Sequence, residues 1–293
     1  MAKKRLDLVL VEEELVETRS LAQRLVMAGQ VRVDGQVAVK PSQFVRDGAE
    51  VTVDHGPRFV SRGGEKLASA LEAFPVDVTG LVCADAGAST GGFTDCLLQN
   101  GARKVYAIDV GHGILHWNLR NDPRVVVMEQ TNARHVEKLA EPVSLVVIDA
   151  SFISLKILLR AVKGWFAPAA PTPNPSPASG GGETRSVEEG AKEVIALIKP
   201  QFEAGRKEVS RGKGVIRDGE IHRRVLHEIL GFAQERGFSV RGLIRSPVLG
   251  PKGNVEFLVW LGMGIPPADG EQVEAMIDAA SPPPEIPDGA DAV

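Results

Sequence analysis

Apolar residues recur at helical spacing over residues 6–16. Ser20 and Gln23 then have the spacing of a capping box, which predicts a second helix reaching Ala28 and ending at Gly29. Val31-Arg32-Val33-Asp34-Gly35-Gln36-Val37 switches to period two around an Asp-Gly pair, the pattern of a tight hairpin. Gly48 and the alternating Val51-Thr52-Val53 predict one more strand. Two short helices and a small sheet bury little apolar surface, so residues 1–60 read as a module attached to something larger.

Beyond residue 60 the pattern alternates between strand and helix. Strands are predicted at 81–84, 104–108, 124–128, 144–148, 194–198, 241–245 and 256–261, with helical patterns between most of them. That alternation predicts an α/β fold, a doubly wound sheet spanning 61–265. A Pro/Gly-rich stretch at 167–190 interrupts it and reads as a flexible insertion. Residues 266–293 are Pro-rich and acidic and read as a disordered tail. The stretch 206–213 is basic, lacks apolar periodicity, and reads as a mobile loop.

Composition narrows the setting. No apolar run is long enough to span a bilayer. The N-terminus reads as an acidic amphipathic helix and not as a signal peptide, which points to the cytoplasm. Cys83 and Cys96 fall inside apolar patterns, as core thiols of a reducing compartment do. The six histidines show no ligand spacing, so no metal is expected. Net charge is −4, but the seven acids of 266–293 account for it and leave the remainder at +3. A mildly basic body permits a nucleic-acid partner.

The first strand of the large domain runs into Asp85-Ala86-Gly87-Ala88-Ser89-Thr90-Gly91-Gly92-Phe93-Thr94, a glycine-rich turn opening a helix. The glycine spacing misses the dinucleotide-binding pattern. Asp85 at the strand end would repel a pyrophosphate but suits a ligand with a cationic amine and sulfonium. Asp109 ends the next strand, where a carboxylate can accept hydrogen bonds from ribose hydroxyls. Together the two acids favour S-adenosylmethionine over NAD.

Methyl transfer to a hydroxyl needs the acceptor held in line and its proton removed. Four residues are candidates: Lys66, Asp149, Lys199 and Glu256. Asp149 and Lys199 follow apolar strands, at the functional edge of an open α/β sheet. On spacing alone, Lys66 reads more readily as a solvated surface lysine than as a catalytic group, and Glu256 more readily as an outward strand residue.

The segments Phe59-Val60-Ser61-Arg62-Gly63-Gly64-Glu65-Lys66-Leu67, Asp85 to Asp95, Val147-Ile148-Asp149-Ala150-Ser151-Phe152-Ile153-Ser154 and Ile198-Lys199-Pro200-Gln201-Phe202-Glu203 carry a resemblance. Over residues 3–265 the chain resembles the TlyA/hemolysin A family of ribosomal-RNA 2′-O-methyltransferases. In that family an S4-type RNA-binding domain precedes an RrmJ/FtsJ-like catalytic domain. The resemblance implies a Rossmann-like sheet of seven strands, the last antiparallel, beside a small α+β N-terminal domain. It implies a catalytic tetrad of Lys66, Asp149, Lys199 and Glu256, with Lys199 as the base for the ribose hydroxyl of a cytidine. S-adenosylmethionine would sit against Gly87, Ala88, Ser89, Thr90, Gly92 and Phe93, with Asp85 and Asp109 at its polar ends. Arg5, Arg19, Arg24, Lys40 and Arg62 are the candidate RNA contacts, and ribosomal RNA or a ribosomal subunit is the implied partner.

Two other function classes compete. A membrane-active haemolysin is disfavoured because no transmembrane helix or long amphipathic strand is visible. A catalytically silent ribosome-assembly factor is disfavoured because all four tetrad positions are filled.

Overall fold

The computed structural model describes residues 3–54, 56–167 and 192–282. Nearly all of the predicted insertion at 167–190, and the end of the predicted tail from 283, lie outside the described residues. The chain divides into two compact units, Met1–Arg58 and Phe59–Val293.

In the first unit β1 (Lys3–Arg5) leads into α1 (Leu6–Glu12), and α2 (Arg19–Met27) follows. Three short strands form a sheet: β2 (Val31–Val33), β3 (Gln36–Val37) and, after β4 (Phe44–Arg46), β5 (Val51–Val53). β1 pairs separately with β4. Leu6, Leu10, Ala22, Val26, Val31 and Val45 fill the core between helices and strands. Asp34 and Gly35 both have positive φ, as a two-residue hairpin of this twist requires.

Two helix ends differ from expectation. α1 stops at Glu12, four residues before the apolar pattern does, because Glu12-Glu13-Glu14 places anions at the negative end of the helix dipole. α2 is capped by Thr18, whose hydroxyl accepts from the Leu21 N–H at 3.2 Å. Ser20 instead lies inside the helix and accepts from Arg24.

In the second unit α3 (Gly63–Ala73) precedes β6 (Val82–Ala86), α4 (Gly92–Gln99), β7 (Lys104–Ile108), α5 (Trp117–Arg120), β8 (Val125–Met128) and β9 (Leu145–Ile148). After α6 (Leu155–Val162) come β10 (Lys192–Ile198), α7 (Pro200–Glu203), α8 (Arg206–Arg211), α9 (Gly219–Glu235), β11 (Phe238–Arg245), β12 (Phe257–Met263) and α10 (Gly270–Ala280). All seven expected strands are present, in the order β11-β12-β10-β9-β6-β7-β8. Strands β10, β9, β6, β7 and β8 run parallel, and β12 is antiparallel to both of its neighbours.

Alternate residues of the central strands feed two cores. Ala84, Ile108, Val146, Ile148 and Ala196 pack on one face with α6, α9 and α10. Cys83, Val105, Ala107, Leu145 and Val147 pack on the other with α3 and α4. Burial on both faces is why these strands read as continuous apolar runs.

Two segments depart from the sequence reading. The basic stretch expected as a loop forms α8. The acidic segment from 266 contributes α10, whose Val273, Ile277 and Ala280 are buried in the first of these cores. Arg223 holds that helix through Glu274 and Asp278. Composition exposed the acids but hid the apolar residues at helical spacing between them.

Candidate active site

The topology makes a crevice. From β6 the chain runs outward through β7 to β8, then crosses back to β9 on the opposite side of β6. The carboxyl ends of β6 and β9 therefore flank a topological switch point, where open α/β sheets bind ligands. Gly87 follows β6, Asp109 follows β7, Asp149 follows β9 and Lys199 follows β10. Glu256 reaches the same edge from the other direction. Ile198 pairs with Phe257 across the antiparallel β10–β12 ladder, so the residue before β12 lies beside the residue after β10. Glu256 is thus not the outward strand residue that its spacing allowed; it precedes β12 and is fully buried.

The four tetrad candidates form two ion pairs. Lys66 Nζ lies 2.5 Å from Glu256 Oε2, and Lys199 Nζ lies 2.5 Å from Asp149 Oδ1. Lys199 also donates to Ser151 Oγ at 3.0 Å. Both lysines are buried, which removes the solvated reading of Lys66.

Two cavities open along this edge. One, of about 260 Å³, is lined by Ser61, Arg62, Lys66, Thr90, Phe93 and Lys199 among others. The second, of about 520 Å³, is lined by Asp109, Ile114, Asn132, Arg134, Phe152 and Ile153 among others. Gly87, Ser89, Asp149 and Ser151 line both, so the two spaces meet at the ends of β6 and β9. Cations concentrate in the smaller cavity, and Asp109 stands with apolar side chains in the larger.

Glycines of the turn answer first to the protein's own packing. At Gly87, φ is +93°, and a Cβ would come within 2.9 Å of Ala150 Cα and Asp149 O. At Gly92 a Cβ would meet Ser61 Oγ at 2.3 Å and Gly64 N at 2.8 Å. Without those side chains, β6, β9 and α3 approach closely enough to form the crevice. Ser89 and Phe152, both on its wall, also have positive φ, uncommon for residues with a side chain.

Asp85 departs from its expected place. Its side chain is fully buried and lines neither cavity. Thr94 Oγ1 donates to its Oδ2 at 2.7 Å, and Oδ1 has no partner among the described residues. Burial pushes its pKa up to about 7, despite the Thr94 hydrogen bond. Asp85 props the start of α4 from behind the wall of the two cavities. Asp109 does reach the larger cavity, anchored by the Ser89 and Gly111 N–H groups at 2.9 and 2.7 Å.

Two contributors were not foreseen. Glu129 accepts from the N–H groups of Gly113, Ile114 and Leu115 and from Arg120, shaping the loop that carries Ile114. The Gly113 N–H, then the Arg120 guanidinium, hold its pKa down at about 2. Phe152 is 90% exposed, and its ring centroid lies 4.9 Å from that of Phe202. No sequence period marks either residue.

The residues fit a sulfonium nucleoside. Asp109 and Asp149 supply the anionic chemistry that a cationic donor with ribose hydroxyls calls for, and Ile108, Ile114 and Leu158 supply apolar wall for a base.

Of the RNA candidates, Arg5 and Arg19 both donate to buried Asp7, at 2.9–3.0 Å, while Arg24 and Lys40 are exposed. Arg62 is exposed and lines the smaller cavity.

Comparison with known proteins agrees with this geometry. The FtsJ-like methyltransferase pattern matches residues 59–263 and the S4 domain pattern residues 4–51. The chain belongs to the FtsJ-like methyltransferase family. It is 44% identical over 261 residues to the 16S/23S rRNA (cytidine-2'-O)-methyltransferase TlyA of Mycobacterium tuberculosis, covering 88% of this chain and 89% of that one. It is 38% identical to Hemolysin A of Brachyspira hyodysenteriae, covering 87% and 98%. A solved structure from Streptococcus thermophilus, described as a hemolysin, superposes with a TM-score of 0.65 at 40% identity, covering 94% and 95%. This FtsJ-like methyltransferase has no helix among the described residues long and apolar enough to cross a membrane.

Proposed function

We propose that this methyltransferase uses S-adenosylmethionine to methylate the ribose 2′-hydroxyl of a cytidine in ribosomal RNA, acting where ribosomes are, in the cytoplasm. The observation that carries the reading is the meeting of the two cavities. The larger one offers carboxylates and apolar wall to a nucleoside donor, and the smaller one offers Arg62, Lys66 and Lys199 to an anionic strand. They join beside Asp149 and Lys199.

When bound, the donor supplies an electrophilic methyl group on a sulfonium. Gly87, Ser89 and Asp109 are the residues that would hold it in the larger cavity, with Ala88, Thr90, Gly92 and Phe93 around the end that reaches into the smaller one and Asp85 acting indirectly through α4. Lys199 takes the proton from the 2′-hydroxyl as the oxygen attacks, and Asp149 and Ser151 hold its amine toward the junction. Proton removal requires the neutral amine, so Lys199 must enter the step deprotonated. Lys66, in its pair with Glu256, binds the strand's negative charge. The N-terminal S4 unit contributes RNA affinity through Arg5, Arg19, Arg24 and Lys40.

The test is incorporation of labelled methyl groups into purified small and large ribosomal subunits, followed by nucleoside analysis. The expected product is 2′-O-methylcytidine. Methylation on a base, or none with a donor-binding protein, would overturn the assignment and leave the silent assembly-factor reading.

A further inference from the structure

The segment after Lys199 touches a different part of the site with nearly every residue. Pro200 stands at the first position of α7, where its fixed φ suits a helix start. Phe202 packs its ring against Phe152. Glu203 accepts from Ser154 Oγ and the Leu155 N–H, both at 2.7 Å, and so ties α7 to the segment that follows Asp149. Gln201 turns the other way. Its Nε2 donates to Glu256 Oε1 at 2.9 Å, while Lys66 holds the other oxygen of the same carboxylate.

The environment of that carboxylate is restrictive. Glu256 is fully buried and Gln201 is 8% exposed. A Cβ at Gly250 would fall 2.0 Å from Glu256 Oε1, so the backbone there closes directly on the carboxylate. Gln201 Oε1 is buried without a partner among the described residues. An amide placed only for packing would not retain an unpaired buried acceptor, which is unfavourable.

From this geometry we infer that Gln201 is a positioning residue for methyl transfer. Its amide fixes the plane of the Glu256 carboxylate, and through it the Lys66 ammonium, relative to Lys199 two residues earlier. The inference concerns the reaction proposed above and rests on that reading. The chemistry asked of Gln201 is a single N–H donated to a carboxylate that no solvent reaches. A neutral donor can do this where an anion cannot.

That distinction supplies the test. Gln201→Met keeps length and flexibility but donates nothing. Gln201→Glu can donate an O–H while protonated, but once ionised it sets two carboxylates together, and burial beside a like charge raises its pKa. Methyl transfer to ribosomal subunits is measured for both variants and wild type from about pH 6 to about pH 9, with donor saturating. Acylation of Lys66 by an amine-reactive reagent, read by mass spectrometry on the full-length protein, is measured alongside without donor or RNA.

Gln201→Met should lose about tenfold or more in kcat at every pH, with Lys66 acylated several-fold faster. Gln201→Glu should stay within about threefold of wild type at the acid end and fall to the Met level as pH rises. Wild-type rates and Lys66 protection in Gln201→Met would overturn the inference. So would equal losses in both variants at all pH values, the signature of simple packing. If Gln201→Met fails to fold, the pH profile of Gln201→Glu decides alone. If wild type itself transfers no methyl group, the functional reading fails, and the acylation rates still judge the positioning.

Discussion

Both units of the chain bury carboxylates, and they satisfy them differently. In the N-terminal unit, Asp7 is fully buried and accepts from Arg5, Arg19 and Gln23, so both oxygens are paired. In the methyltransferase unit, Asp85 is equally buried but has one oxygen unpaired among the described residues, and Glu256 is held by Gln201, whose own amide oxygen is likewise unpaired there. Asp7 is a fastener: several partners converge on it and its charged form is favoured, first by the Arg5 hydrogen bonds. At the sheet edge, Lys66 and Lys199 line the cavity wall, each paired with a single carboxylate. Ion pairs left with capacity at a crevice are what a site needs, and a saturated one is what a small core needs.

The sharpest break of this contrast is at Lys199. Lys199→Ala should reduce methyl transfer by roughly 100–10,000-fold, the usual loss on removing a proton-transfer group. Donor binding and thermal stability should stay near wild type, because Asp109 and the Gly87 turn remain. Lys199→Arg should be as inactive, since a guanidinium does not give up its proton at neutral pH. Activity retained by the arginine variant would make Lys199 an electrostatic clamp instead of a base.

Next in size is Asp7→Ala, expected to destabilise the N-terminal unit by roughly 1.5–3 kcal/mol, the range for hydrogen bonds to a charged group. Hydrogen exchange at α1 and α2 amides reads this directly. The folded pKa of Asp7 lies far below its ordinary value. The stability it contributes is therefore present above about pH 4 and lost as pH falls. Rates of methyl transfer to a short RNA should change little; a large loss there would mean that the fastener is also part of the reaction.

Asp85 should behave in the opposite sense. Its folded pKa is raised to about 7 by burial, so the native state keeps a proton that the unfolded chain releases. Stability of the methyltransferase unit should decline as pH rises from about 4 to about 7, then level off. Asp85→Asn should flatten that slope and unfold several degrees higher above neutrality. An unchanged slope would show that Asp85 is ionised in the fold.

How far these roles were legible in the sequence depends on periodicity. All seven strands were, because two-sided burial leaves long apolar runs, and Asp149 and Lys199 were placed by ending such runs. Lys66 and Glu256 were open to solvated readings, since Glu256 is placed by the antiparallel β10–β12 ladder and its partner Lys66 lies 190 residues away in sequence. Asp85 looked like a ligand contact because a strand end reads the same whether its side chain faces the crevice or the core. α10 was hidden beneath its own acids. Phe152 stood in a segment that carries the resemblance, but nothing marked its exposure: a positive φ at an exposed aromatic ring is a property of the turn, not of any periodicity.

The smallest expected effect separates the arginines within the N-terminal unit. Arg19 is tied to Asp7, so Arg19→Gln should lose stability and RNA affinity together. Arg24 is held through the Ser20 hydroxyl alone, and Lys40 makes no ion pair among the described residues. Neutralising Arg24 and Lys40 should therefore leave unfolding unchanged while weakening RNA binding. Each lost phosphate contact lowers the slope of log affinity against log salt by about 0.7–0.9. Removing two should flatten it by roughly 1.4–1.8, with only a modest change in affinity at high salt. Binding isotherms at four salt concentrations measure that slope. A parallel line of unchanged slope would mean that these two side chains touch no phosphate, and that RNA affinity in this unit rests on the arginines that also hold its fold.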